Sequence, residues 1–202
     1  MQPGKHCGRS SGTIPPDVAA FGMETADPAV VAANNLKATA DEVFRAIESV
    51  NEEGGKRREN VPELLPGLNF VCGLAGETEI TYDMNEEFLG RVLKAGLSVR
   101  RVNIRQVMPF EGTPAYKNNT LGKNERRFRA FKEFVRNEID LPMLQRVYPL
   151  GTVLRDVRVE IAGELSFGRQ MGSYPILVGI PLRLPERSVT DVVIVDWGMR
   201  SI

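Results

Sequence analysis

Val71-Cys72-Gly73-Leu74-Ala75-Gly76-Glu77-Thr78 is an apolar run that stops in a glycine-rich turn and passes straight into a helix. Gly73 and Gly76 tolerate positive φ and carry no side chain, so a flat or charged ligand can approach the backbone closely there. An ordinary strand-to-helix turn of an α/β protein favours glycine for its own sake. Both readings stay open on this stretch alone. The local order is clearer: a strand over residues 67–72, then a helix over residues 79–95. In that helix Met84, Phe88, Val92 and Leu93 form an apolar stripe, and Gly96 is placed to end it.

Outward from this turn the chain alternates strand and helix. Residues 17–23 are a short apolar run that fits a buried parallel strand, and Asp27-Pro28 opens a short helix. Thr39-Ala40-Asp41-Glu42 reads as a capping box, so residues 39–53 are expected to form an amphipathic helix ending at Gly54-Gly55. The charged residues 56–63 read as a solvated loop. Residues 99–108 alternate and give the next strand, which Pro109 and the Gly112-Thr113-Pro114 run close. Alternation sends Asn103 and Arg105 to one side and Ile104 and Gln106 to the other, without fixing which pair faces inward.

Strands joined by helices imply parallel β/α units. A single helix is expected over residues 123–139, where Phe128, Phe131, Phe134 and Val135 lie among many basic residues. Such a stripe is read as core packing before base stacking. From about Tyr148 the texture changes to short β-rich runs at residues 153–161, 163–169, 175–180 and 189–195, separated by Gly, Pro and charged turns. These imply a small compact β-barrel.

Two further blocks accompany the glycine turn. Upstream is Phe21-Gly22-Met23-Glu24-Thr25-Ala26-Asp27-Pro28; downstream, residues 101–114 read RVNIRQVMPFEGTP. In this order, each at the end of an apolar segment, the three blocks resemble the last three β/α units of a radical S-adenosylmethionine (SAM) enzyme barrel. Their wording is most similar to an archaeal-type, uncharacterised branch of that superfamily. Gly168-Arg169, Ser173-Tyr174-Pro175 and the final Val192-Val193-Ile194-Val195 resemble a TRAM domain, a module thought to contact tRNA in radical SAM methylthiotransferases. The fold class implied is α/β, a partial (β/α) barrel followed by a small all-β barrel. The expected layout is a disordered leader at residues 1–12, the barrel portion at 13–122, a connecting helix at 123–147 and the TRAM-like domain at 148–202.

The resemblance implies a [4Fe–4S] cluster in the complete protein, held by three cysteines in a Cys-x3-Cys-x2-Cys loop. This chain has only Cys7 and Cys72. It therefore reads as the carboxy-terminal part of a longer enzyme, with the missing barrel half or a partner chain supplying the cluster. The residues present would serve SAM. Glu24 would accept hydrogen bonds from its ribose or amino group, although a charge at the start of the next helix is the alternative. Lys37 and Arg105 would meet carboxylates, or be respectively solvated and ion-paired. Val71 and the Gly73–Gly76 backbone would face adenine, and Met108 would be a further cofactor-binding residue. Arg169 and Tyr174 would contact RNA through phosphate and base stacking.

Composition sets outer bounds. With 202 residues, 42% of them apolar, the chain can bury one or two modest cores. Lys+Arg and Asp+Glu balance at 26 each, which argues against nucleic-acid binding by bulk charge. Basic and acidic residues are also equal in number after Tyr148, so a lid over the barrel remains the alternative to an RNA contact. His6 and Cys7 are neighbours without companions, a poor metal site. With no long apolar run and no signal peptide, no membrane partner is expected, and the cytoplasm is the expected compartment. The competing function class is a non-catalytic RNA-binding or interaction module. A Rossmann-like nucleotide binder ranks last, because Gly73-x-x-Gly76 lacks the first half of the dinucleotide fingerprint.

Overall fold

The computed structural model describes residues 17–58, 61–172, 175–198 and 201–202. The leader expected at residues 1–12, with His6 and Cys7, and the stacking residue Tyr174 lie outside the described residues.

A parallel sheet of three strands carries the first half of the chain. Strand β1 (Asp17–Glu24) leads through α1 (Pro28–Ala33) and α2 (Ala40–Gly54) to a small hairpin, β2 (Arg57–Arg58) and β3 (Val61–Pro62). Strand β4 (Leu64–Cys72) follows, then α3 (Glu79–Lys94) and β5 (Arg101–Gln106). The strand order is β1-β4-β5, both pairings parallel. Central β4 is buried along most of its length, which is why its sequence is a nearly continuous apolar run.

The capping box forms as the sequence dictates. The Glu42 amide donates to Thr39 Oγ1 at 3.3 Å, and the Thr39 amide donates to Glu42 Oε2 at 2.9 Å. Residues 56–63, read as a loop, include the two-residue hairpin strands instead. The first core lies between the sheet and its helices: Leu68, Phe70 and Cys72 from β4, Val102 from β5, and Ile47, Phe88 and Val92 from the helices. Phe131 is fully buried, with its ring edge-on to Phe70 and Tyr82 at centroid distances of 5.6 and 5.9 Å. The aromatic stripe is thus core packing, each such ring contributing about 1.5–3 kcal/mol by burial.

Beyond α4 (Pro114–Asn118), the connecting helix expected at residues 123–147 is three pieces. Helix α5 (Glu125–Phe134) widens into a π-helical segment (Val135–Asp140) and tightens again into α6 (Leu141–Val147). Pro142 accounts for the change of pitch: it has no N–H for the Glu138 carbonyl and its ring crowds that oxygen.

The last quarter is a curled antiparallel sheet of β6 (Val153–Ile161), β7 (Ser166–Arg169), β8 (Val178–Ile180) and β9 (Val189–Val193), in the order β8-β7-β6-β9. Register shifts in β6 against both neighbours, and Asp156 at φ 55°, bend it. Its core gathers Leu154, Val157, Val178 and Ile180, and draws in Val147 and Tyr148 and, from the first half, Val61 and Leu65. The molecule is a mixed α/β structure with a parallel and a curled antiparallel sheet. No helix among the described residues is long and apolar enough to cross a membrane.

Candidate functional site at the carboxyl ends of the parallel strands

The loop after β1 is wired to α3 by buried polar side chains. Asp27 caps α1, accepting from the Ala29 amide at 2.9 Å, and its second oxygen accepts from Thr81 Oγ1 at 2.7 Å. Asn85 Oδ1 accepts from the Ala26 amide at 2.7 Å and from Thr25 Oγ1 at 3.3 Å. Thr25, Asp27, Thr81 and Asn85 are all buried. Most of the polar wording of the Glu24-Thr25-Ala26-Asp27 block is therefore consumed in holding the loop, as buried polar groups require.

Glu24 is the exception. Its backbone sits at φ 57°, a left-handed conformation that costs a non-glycine residue on the order of 1 kcal/mol. The β1–β4 register shifts between Gly22 and Glu24, which re-aims the side chain at the strand end. The carboxylate is half-buried, and among the described residues no hydrogen bond or ion pair takes it up. Burial pushes its carboxyl above the ordinary range, and the charge of Arg105, two strands away, offsets part of that push.

The glycine turn is closed from inside. Gly73 lies at φ 89°, and its amide donates to Glu77 Oε2 at 2.7 Å. The second oxygen of Glu77 accepts from Tyr82 Oη at 2.6 Å, so this carboxylate is a buried brace rather than an exposed helix-start charge. The Gly73 carbonyl accepts from the Thr120 amide, and Asn34 pairs with both backbone groups of Ala75. A Cβ on Gly73 would approach Val107 Cγ1 at 3.0 Å. Gly73 thus serves close packing, whereas Gly76, at φ 80° and exposed, leaves its backbone open to an approaching group.

On β5 the polar alternate residues face away from the helices. Asn103 Nδ2 donates to Asn69 Oδ1 at 2.9 Å, and Arg101 Nε donates to Asn103 Oδ1 at 2.6 Å. Val71 pairs with Arg105 in register and shares that face, half-buried beside the exposed Arg105. Val102 and Ile104 pack on the first core. The choice that alternation left open is settled: Asn103 and Arg105 line the helix-free face.

Glu24, Val71, Gly76 and Arg105 therefore share the carboxyl end of the sheet. Lys37 is exposed in the link between α1 and α2, and Met108 is 73% exposed past the end of β5. Arg169 stands on β7 and is paired with Glu160. Cys72 is buried, and its thiol is pushed up to about 12, by burial first and then by Glu77. Among the described residues no three His, Cys, Asp or Glu side chains gather into a metal-binding group.

Sequence reasoning missed a cavity of about 630 Å³ flanked by β5, α6 and the antiparallel sheet. Its walls include Arg100, whose guanidinium lies 5.6 Å from the centre of the buried Tyr148 ring. No local motif marks it, since its walls come from four separate segments. The basic residues before and within β5 were the available signal.

No family model matches the chain. It is 46% identical over 191 residues to an uncharacterized protein of Archaeoglobus fulgidus, covering 93% of this chain and 36% of that protein. To an uncharacterized protein of Methanocaldococcus jannaschii it is 49% identical over 192 residues, covering 92% of this chain and 35% of the relative. The chain spans about a third of the length of the curated relatives it matches.

Proposed function

We propose that this chain is the carboxy-terminal part of a radical SAM barrel followed by a TRAM-like β-domain, and that it contributes part of the SAM site. The observation that carries the reading is Glu24: a half-buried carboxylate that no hydrogen bond or ion pair takes up among the described residues, held in a costly backbone conformation at the carboxyl end of a parallel strand. Ligands of parallel α/β sheets bind at that end. Ionised Glu24 would accept hydrogen bonds from the ribose or amino group of SAM. Val71 offers an apolar wall, the open Gly76 backbone an edge, and Arg105 a planar fork for a carboxylate. The internal bonds of Gly73 and Ala75 leave adenine fewer backbone partners than the turn alone implies.

SAM bound at a reduced cluster supplies a 5′-deoxyadenosyl radical, and the protein contributes orientation and exclusion of water. The cluster does not fit the described residues, because Cys72 is buried with a raised thiol and no other ligands gather beside it among them. The alternative is a binding module in which Arg169 of the antiparallel sheet meets RNA. A modification enzyme acting on RNA would unite the two readings.

Calorimetric titration of SAM into the 202-residue chain and into Glu24→Gln and Arg169→Glu variants separates them. Heat with the parent that falls at least tenfold in Glu24→Gln but persists in Arg169→Glu supports the SAM role. Equal heat in parent and Glu24→Gln removes Glu24 from it. Weak, salt-dependent tRNA binding that Arg169→Glu abolishes, without SAM binding, favours the module.

A further inference from the structure

We infer that the open edge of β5 is a docking groove for an extended peptide of alternating acidic and apolar residues, added as a further strand of the parallel sheet. Five consecutive residues, Arg101 to Arg105, line the cavity of about 630 Å³. Side chains of successive strand residues point to opposite faces, so a cavity that touches all five runs along the backbone edge rather than over one face. Among the described strands β5 pairs only with β4, so its other edge faces this space without a strand beside it.

Charge and polarity define the occupant. Arg100, Arg101, Arg105, Lys132 and Arg169 line the groove with one acid, Asp140; of these Arg169 also pairs with Glu160, and Arg101 Nε donates to Asn103. Arg101 and Arg105 share the face with Asn103; on the other, Val102 and Ile104 adjoin Val135, Met143 and Val147. An added strand would place alternate side chains on these two faces. Acidic residues belong on the first and apolar residues on the second. The leading residues 1–12 carry Lys5 and Arg9 and no acid, so their charge has the wrong sign for this groove. The occupant is a partner segment, its backbone held by the ladder and its register by the arginines. This inference does not depend on SAM binding.

The test uses the full chain and a fluorescein-labelled peptide, Glu-Val-Glu-Val-Glu-Val, read by anisotropy at low and moderate salt. A Lys-Val counterpart reverses its charge, and an alternately N-methylated copy keeps the charge but cannot form the ladder. Binding of the acidic peptide, at least tenfold weaker for both counterparts and for Arg101→Glu/Lys132→Glu, is expected. Circular dichroism confirms that the double variant is folded. Hydrogen exchange provides a second readout that needs no variant: residues 101–106 should slow with the acidic peptide and not with its N-methylated copy. Equal affinity of the N-methylated copy would overturn strand addition and leave a general anion site. Displacement of the peptide by inorganic phosphate at equal concentration would do the same. No binding at millimolar peptide would overturn docking and leave the cations as guards of an open strand edge.

Discussion

A Cβ built on Gly22 would lie 2.7 Å from Glu24 Oε1, so the Glu24 carboxylate folds back into space that only glycine leaves vacant. Two unusual features two residues apart, a glycine within a strand and a left-handed glutamate at its end, are parts of one arrangement. Together they hold an acid half out of water, with no hydrogen bond or ion pair to it among the described residues.

Replacing Gly22 by valine tests this arrangement. A β-branched side chain suits an exposed strand position, so the fold should tolerate the change within about 1 kcal/mol. Its rigid methyls must push the carboxylate away. SAM affinity should therefore fall at least tenfold by calorimetry while the melting temperature moves by no more than about 2–4 °C. Unchanged affinity would separate the carboxylate's position from ligand binding.

The raised Glu24 carboxyl has a signed consequence for stability. The folded state holds this proton more tightly than the unfolded chain does. Its contribution is therefore fully present below the ordinary glutamate range and is lost as pH rises through the raised value. At neutral pH the ionised group opposes folding. Glu24→Gln should stabilise the protein at pH 7, by less than about 1 kcal/mol because solvent screens the site, and the gain should shrink below pH ~4.3. Denaturant melts of both proteins across that range test the sign.

Much of the fold was legible because local and global signals agree. The capping box at Thr39, the apolar run of β4 and the stripe of α3 each specify one element and one buried face. The π-helical segment was not legible from apolar spacing alone, because Phe128, Phe131 and Val135 keep a helical stripe through the change in pitch. At the candidate site the residue types were visible but their employment was not. Glu77 is a buried brace, and its partners Gly73 and Tyr82 sit at spacings that no helix rule joins. The cavity beside β5 depends on the meeting of separate segments, which pattern along the chain does not encode.

Asn85 reaches back to the β1 loop and should matter for stability more than for chemistry. Asn85→Ala leaves the Ala26 amide and the Thr25 hydroxyl without their acceptor in a buried setting. Each such loss costs about 1–3 kcal/mol. A destabilisation of at least about 1 kcal/mol in urea is expected, with a smaller one for Glu48→Ala at an exposed position of α2. Equal effects would show that the loop wiring does not determine local stability.

Cys72 should be inert in the folded protein. Burial and the neighbouring Glu77 push its thiol up to about 12, so at pH 8 almost none is thiolate. Peptide-resolved mass spectrometry after brief iodoacetamide treatment should find Cys72 unlabelled natively and labelled in denaturant. Tyr82→Phe removes a donor from Glu77 and should cost about 1–3 kcal/mol. Faster native labelling of Cys72 in that variant would follow from more frequent opening.

Among the described strands β1 has a ladder partner on one side, β4, and forms the other edge of the parallel sheet. Residues 17–20 vary from half-buried to exposed, and Asp17 places a charge at the strand start. An open edge invites pairing with a second chain, and a charge in its middle opposes it. The 202-residue chain should therefore self-associate as its concentration rises. Ala20→Lys, at an exposed position of β1, should keep it monomeric without changing its circular dichroism. Sedimentation velocity over a hundredfold concentration range measures both proteins. A parent that stays monomeric throughout, with slow amide exchange along β1, would mean that this edge is already covered within the chain.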